Sequence, residues 1–514
     1  MPSDSRSEAS RKPEHRPGSG RAERALAALL AATLGLVVAV APARAADPAP
    51  PADDPLTFKT DDGEHSIKFS LESRFRQEWW DAHAGSTENF SAFRSRASSK
   101  YVWKDVVEAF IQFQDARING LDSDGSGAGA LYYVWGADSS SKTSSQRIRQ
   151  LWVQLEPIEG LKLRAGRQDI KLGTEVMYPE ANWKYLKVAR GSQRLVGTVG
   201  WTHAERSNDG MVASYDFGDY LGYAFGAKPT TGVFDIDDAY STQDRITYGG
   251  ATFTAKRGVW IDDTEVRLFG LGYEDERHVR DGGLSDNRSV NIYTAGFSLI
   301  GIYPVEGGNV DVLLWGAYQF GSYPDVTPEG GSNPRNSLSQ NAWAALAEFG
   351  YQFTEMKMKP WLRCGLNMAS GDKNSHDSTH GTFFNMLPTN HLYYGFADQF
   401  ALQNIIDYFL QLKLAPLPKL GLNLMLHHIT LYTSDDASYF GTGAFNKKIF
   451  GFGATPSRGH NSVATELDVV ASYKAHKNVD LQAGYSYMWG HAVFNNLSDD
   501  DVRFGYLQVK VSYP

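Results

Sequence analysis

The residues with the most chemistry to offer are arginines that recur at two-residue spacing. Arg74 and Arg76 form one pair, Arg94 and Arg96 a second, Arg147 and Arg149 a third; Arg164, Arg167, Arg190, Arg194 and Arg206 continue the series. In an extended strand alternate side chains share a face, so each pair aims its guanidinium groups the same way. A guanidinium is permanently charged and presents a planar fork that matches a carboxylate bidentately. Set around a water-filled passage with low-dielectric walls, such groups focus a field that favours anions. The competing reading is bracing: Glu72, Glu78, Glu108, Asp115, Glu156 and Asp169 stand in or beside the same segments and offer carboxylates to the arginines.

The elements that would position these side chains are amphipathic strands. In Val502 to Tyr513, Leu507, Val509, Val511 and Tyr513 take one face while Tyr506, Gln508, Lys510 and Ser512 take the other. Ile67, Phe69 and Leu71 alternate with Lys68, Ser70, Glu72, Arg74 and Arg76; Leu420, Leu422, Leu424 and Leu426 alternate with Gly421, Asn423 and His427. Further segments near 88–103, 105–118, 145–156, 160–168, 195–204, 210–218, 220–228, 246–256, 263–275, 289–302, 308–321, 340–354, 357–370, 403–414, 463–474 and 479–489 read the same way. Few segments look able to cover so much apolar face, and lipid is the economical cover. Charge confined to one phase is what a lipid-facing wall demands, since a basic residue at the bilayer midplane costs about 2–4 kcal/mol.

The count comes to about 18 to 20 strands, and the even-number preference of bacterial barrels selects 18. The fold expected is therefore all-β, a single antiparallel transmembrane β-barrel with an aqueous lumen. Tight links such as 415–418 and 475–478 read as periplasmic turns, and 169–194, 322–339, 371–401 and 433–460 as long extracellular loops able to fold inward.

The start of the chain reads as an export signal. Arg21 and Arg24 precede an almost wholly apolar run from Ala25 to Ala41, and Ala43-Arg44-Ala45 predicts cleavage before Ala46. The division expected is 1–45 signal peptide, 46–64 flexible leader rich in Pro and Asp, and 65–514 barrel. No later stretch reaches the roughly 18 unbroken apolar residues of a membrane helix. Net charge is −9 overall and −12 after residue 45, which gives no support for nucleic-acid binding. Twelve Trp, 26 Tyr and 27 Phe suit rings anchored at two bilayer interfaces. With one cysteine, Cys364, no internal disulfide is available.

Other polar motifs are weaker. His376-Asp377-Ser378-Thr379-His380, with His391 nearby, has spacing for metal or acid–base work but the composition of a solvated loop. His427 and His428 are strand neighbours and point to opposite faces, so they cannot share a metal there. Asp122-Ser123-Asp124-Gly125 begins like a calcium loop, yet position 12 is Tyr133, so surface calcium stays open and an EF-hand does not. With no G-x-S-x-G elbow and no P-loop, neither an enzyme nor a cofactor or metal site is expected.

Leu163-Arg164-Ala165-Gly166-Arg167-Gln168-Asp169-Ile170-Lys171-Leu172-Gly173, followed by Arg206-Ser207-Asn208-Asp209-Gly210-Met211, resembles the R-x-G-R-Q … G … R-S-x-D-G pattern of the alginate-export family of outer-membrane porins. Leu387 to Asp398, containing Tyr394-Gly395-Phe396-Ala397-Asp398, is similar to that family's Y-G-x-A-D stretch. The likeness runs over roughly 65 to 514; the ending Tyr513-Pro514 departs from the terminal aromatic usual in barrel proteins. The resemblance implies an 18-stranded barrel that passes a linear polyuronate through an electropositive constriction. It carries Arg164, Arg167 and Arg206 over as pore residues, with Asp209 as partner; Arg74, Arg76, Arg96 and Arg149 rest on strand phase alone.

The reading is an outer-membrane channel for an anionic, alginate-like poly- or oligosaccharide, seated in the bilayer, with a periplasmic scaffold among the partners it allows. The alternatives are a general or anion-preferring small-solute porin and, from a different class, a secreted β-rich carbohydrate-binding protein or polysaccharide-degrading enzyme.

Overall fold

The computed structural model describes residues 56–513 except 83–85, 122–127, 135–142, 233–235, 278–279, 282–283, 286–288, 325–336, 443–450 and 495–500. The export signal and the Asp122–Gly125 motif lie outside the described residues. Eighteen strands form the wall. They are β1 His65–Ala82, β2 Ser86–Trp103, β3 Val107–Asn119, β4 Ser144–Ile158, β5 Leu161–Gln168, β6 Asn208–Asp216, β7 Tyr220–Pro229, β8 Ile246–Ala255 and β9 Thr264–Asp275. The second half comprises β10 Val290–Val305, β11 Gly308–Pro324, β12 Ser337–Phe353, β13 Trp361–Ala369, β14 Ile405–Leu417, β15 Leu420–Thr430, β16 Ser462–His476, β17 Val479–Gly490 and β18 Val502–Tyr513.

Each strand pairs antiparallel with the next, and β18 closes on β1 from Leu71↔Tyr513 to Asp81↔Arg503. Closure satisfies backbone groups on both sides of every strand and leaves no edge in lipid. Thr57–Lys59, assigned to the flexible leader by composition, adds a short antiparallel pairing to the base of β1, with Thr57 opposite Lys68.

The two-residue period sorts the wall as expected. On β1, Phe69, Leu71 and Phe75 point outward, Leu71 at 56 % exposure, while Arg74, Arg76 and Glu78 point inward and are buried. Leu410 and Tyr408 of β14, and Val509 and Val511 of β18, repeat the outward pattern. Short turns close one end. Gly160 makes the β4–β5 turn at φ +81°, where a Cβ would collide with the Asp216 carbonyl, so only glycine fits both the backbone and the space. Long connections, 169–207, 370–404 and 431–461 among them, lie at the other end; in bacterial barrels that end is extracellular and the short-turn end periplasmic.

One expected strand is absent. The segment 195–204 is part of the 169–207 connection, and its Leu195, Val196 and Val199 bury inside the barrel instead of joining the wall. Val196 makes only an isolated parallel bridge to Leu387 of the 370–404 loop.

Candidate functional site

Two long loops fold into the lumen and pair with one another. The Gly197 N–H donates to the Leu387 carbonyl at 2.8 Å, and the Leu387 and Thr389 N–H groups donate to the Leu195 and Gln193 carbonyls at 2.8 and 3.1 Å. The 169–207 loop begins with a short helix, Ala181–Tyr185, that runs into a π-helical turn, Leu186–Gly191. A further helix, Ala128–Tyr133, packs beside it, and the Tyr133 hydroxyl accepts the His203 N–H at 3.0 Å.

Each loop meets a wall of opposite polarity. Over the arginines of β1, the first loop presents carbonyls: Arg74 donates to Gly200, Trp201 and Thr202 at 3.1, 3.1 and 2.6 Å, and Arg76 donates to Trp201 at 3.0 Å. Over the carboxylates of β16, the second loop presents N–H groups: Ala397 donates to Glu466 at 2.8 Å and Phe396 to Asp468 at 3.4 Å. Backbone dipoles thus answer buried charges on both sides. The loops meet in a ring stack of Trp201 on His391, centroids 3.8 Å apart, which continues to Phe396 at 4.7 Å.

Carboxylates neutralise most of the remaining guanidinium groups. Glu205 of the first loop binds Arg94 at 2.6 Å, Arg96 at 3.0 Å and Arg149 at 2.6 Å. Burial works against its charge, but Arg96, Arg149 and Arg94 hold the carboxyl well below the usual carboxylate range. Glu348 of β12 likewise gathers Arg190 at 2.8 Å, Arg194 at 3.1 Å and Arg363 at 3.0 Å.

Of the residues singled out from sequence, Arg74, Arg76, Arg96 and Arg149 do face inward, and there they clamp the loop. Arg76 adds a bond to Glu78 at 2.6 Å and lies 3.5 Å from the Trp201 ring centroid; Arg149 adds Asp169 at 2.6 Å. Arg206 is buried and donates to the Gly197 and Leu387 carbonyls at 3.3 and 3.4 Å, across both loops. Arg164 points inward, bonds Gln154 at 2.7 Å and covers the Trp152 ring at 4.3 Å. Arg167 and Asp209 depart from the expectation. They share the outward phase of Leu163 and Met211, stand directly opposite each other on β5 and β6, and form a two-pronged pair at 2.7 Å.

The open part of the lumen runs along the other wall. Beneath the ring stack is a cavity of about 390 Å³, lined by Arg190, Trp201, Gln411, Lys413, Asn423 and Tyr506 among others. It shares Gly421, Ser472 and Gln482 with a space of about 540 Å³ at the short-turn end, where Lys419, Lys474 and Lys510 face in. Lys474 is paired to Asp480 at 2.8 Å and Lys510 to Glu72 at 3.1 Å. Lys413 has no carboxylate partner among the described residues; its Nζ lies 2.9 Å from the Tyr185 ring centroid and 5.2 Å from that of Trp361. In the alternation of 403–414 Lys413 shares the polar phase of Asp407 and Gln411, opposite Tyr408, Leu410 and Leu412, and nothing in that pattern shows that its neighbours are aromatic.

A larger crease of about 590 Å³ lies on the outside, between Phe349, Tyr408, Leu410 and Leu426, and faces lipid instead of solute. Among the described residues no group of three or more His, Cys, Asp or Glu is arranged to hold a metal. His427 faces in and bonds Asp407 at 2.9 Å, whereas His428 faces out to Thr465 at 3.1 Å.

A closed barrel with an apolar exterior, a charged interior and inward loops defines an outer-membrane channel of the bacterial porin class. The alginate export family model matches residues 65–501, and the chain belongs to that family. Among solved structures it is similar to Pseudomonas aeruginosa OccK2 (OpdF) in complex with glucuronate, with 12% identity over 87% of this chain and 98% of that one and a TM-score of 0.55. It is similar also to Acinetobacter baumannii OccAB1, with 10% identity, 90% and 99% coverage and a TM-score of 0.56. A BenF-like porin from Pseudomonas fluorescens gives 11%, 87% and 98%, and 0.55. No curated protein matches the sequence.

Proposed function

We propose that this outer-membrane channel passes an anionic, alginate-like poly- or oligosaccharide, and that the solute follows the lysine-lined side of the lumen, not the arginines. The observation that carries this reading is Lys413: an inward lysine beside an open cavity, flanked by Tyr185 and Trp361, with no carboxylate partner among the described residues. An ammonium offers a uronate carboxylate its charge, and Gln411 and Asn423 border the same cavity with polar side chains. Lys419 continues the cationic side at the short-turn mouth, where Lys474 and Lys510 are paired with Asp480 and Glu72. The braced arginines contribute in another way, by fixing the loop that narrows the passage.

The test is conductance through single channels in planar bilayers, with polyuronate added and with a neutral oligosaccharide of equal length as control. Concentration-dependent block by the acidic chain, weaker by about tenfold or more for the neutral one, supports the reading; equal block by both, or none by either, removes it. A second reading, a small-solute porin with anion preference, is favoured by the cavity volume of about 390 Å³, which suits a single small ligand. A monouronate that blocks as well as the polymer would select it. A periplasmic scaffold, if it docks, would meet the short-turn face.

A further inference from the structure

We infer that the periplasmic rim carries a loading site for the acidic chain on one arc of the mouth. The inference rests on the transport reading above and adds the side from which the chain is captured.

Three neighbouring turns build the arc: 354–360, 418–419 and 474–478. They adjoin through backbone bonds, with Ala415 N–H donating to Met358 at 2.7 Å and Lys474 N–H donating to Lys419 at 2.9 Å. Lys357, Lys359, Lys419 and Lys477 stand exposed on these turns, outnumbering the exposed Glu355 of the same arc and Glu306 of the adjoining turn, and none is ion-paired among the described residues. The rest of the rim is built differently. There Lys104 pairs with Glu64 at 2.8 Å, Lys162 with Glu156 at 3.8 Å and Lys256 with Asp216 at 2.7 Å, while Glu159 and Asp219 are exposed with no cation paired to them among the described residues. The unpaired lysines of the mouth are therefore concentrated on one arc.

The basic arc is also the arc that leads inward. Lys419 belongs both to it and to the space of about 540 Å³ that shares Gly421, Ser472 and Gln482 with the cavity of Lys413. A linear polyanion approaching within roughly a Debye length, about 8 Å at physiological ionic strength, is drawn to the lysines and turned away from Glu159 and Asp219. A passive pore has no direction of its own. An asymmetric capture site changes which mouth accepts the chain faster, and hence the rate at which it threads from the periplasm.

The experiment uses the full-length channel inserted in bilayers with one orientation, and alginate oligomers added to one side at a time. The wild type is expected to show a block on-rate from the short-turn side at least about tenfold above that from the long-loop side, falling steeply with salt. In the Lys357→Gln/Lys359→Gln/Lys477→Gln variant the difference disappears, while conductance in plain salt and block from the long-loop side stay as they were. Equal on-rates from both sides of the wild type overturn the proposal. So does an unchanged triple variant, which would assign these lysines to a protein partner. If Lys413→Gln relieves block from both sides while the triple variant has no effect, the transport reading stands and the loading arc falls. If alginate oligomers never block, both fall.

Discussion

Trp201 and His391 stack at 3.8 Å with their planes 14° from parallel, and this contact joins two loops clamped to opposite sides of the lumen. The carbonyls of residues 200–202 bind Arg74 and Arg76 of β1; the N–H groups of residues 396 and 397 bind Asp468 and Glu466 of β16. Trp201→Ala removes the junction and a ring that also lies 3.5 Å from Arg76. Single-channel conductance is expected to rise by a factor of about two or more, with larger current fluctuations, while heat-dependent gel migration still reports a closed barrel.

Glu205 holds three arginines, so its loss strands buried cations. Glu205→Gln is expected to destabilise the inserted loop by about 3–5 kcal/mol, read as faster hydrogen exchange of residues 199–206. Because the folded carboxyl titrates below its ordinary value of 4.5, its contribution is complete above that pH and is lost as pH falls through the folded value. The wild-type loop should therefore be insensitive to pH between about 5 and 8, and the variant loosened throughout.

His380 titrates in a different window. Its ring stacks on Tyr323 at 3.9 Å, its Nδ1 lies 2.8 Å from Gln340 Oε1, and burial pushes it down from 6.5 to about 4. A lowered value means that the folded state disfavours the charged form. Stability is full above pH 6.5 and is lost as pH falls toward 4, by up to about 3 kcal/mol. Hydrogen exchange of residues 381–384 should accelerate over that interval, and in His380→Gln the pH dependence should vanish.

The Arg167–Asp209 pair lies on the outward face, with side chains 23% and 31% exposed. Arg167→Gln is expected to leave ion selectivity and alginate block unchanged and to cost no more than about 1 kcal/mol. Selectivity measured by reversal potential checks the first statement and thermal unfolding in detergent the second.

Much of the wall was legible because lipid on one side and water on the other force a two-residue alternation, as in Leu507, Val509, Val511 and Tyr513. The strand count was blurred only by 195–204, where a short apolar run buries in the lumen and mimics a wall strand. Inward orientation of Arg74 and Arg76 was readable from phase, whereas Arg149 shares the phase of outward-facing Leu151 and Val153 and turns in only because a bulge shifts the register between β3 and β4 there; what the arginines would meet was not readable, because the path of a long loop leaves no periodic trace. Arg164 and Arg167 show the limit of grouping by motif. A spacing of three puts two strand residues on opposite faces, so neighbours in the pattern separate in space. Lys413 carried no signal beyond its phase, since its lack of a carboxylate depends on what four other strands and two loops bring to its cavity.

The central claim, that Lys413 and its lysine neighbours and not the braced arginines carry the preference for anions, is tested most directly by reversal potential and alginate block in Lys413→Gln and Lys413→Arg channels. The account predicts that Lys413→Gln moves the reversal potential away from the anion limit and raises the half-blocking alginate concentration by about tenfold, while Lys413→Arg stays close to the wild type. A Lys413→Gln channel with wild-type selectivity and wild-type block would contradict it.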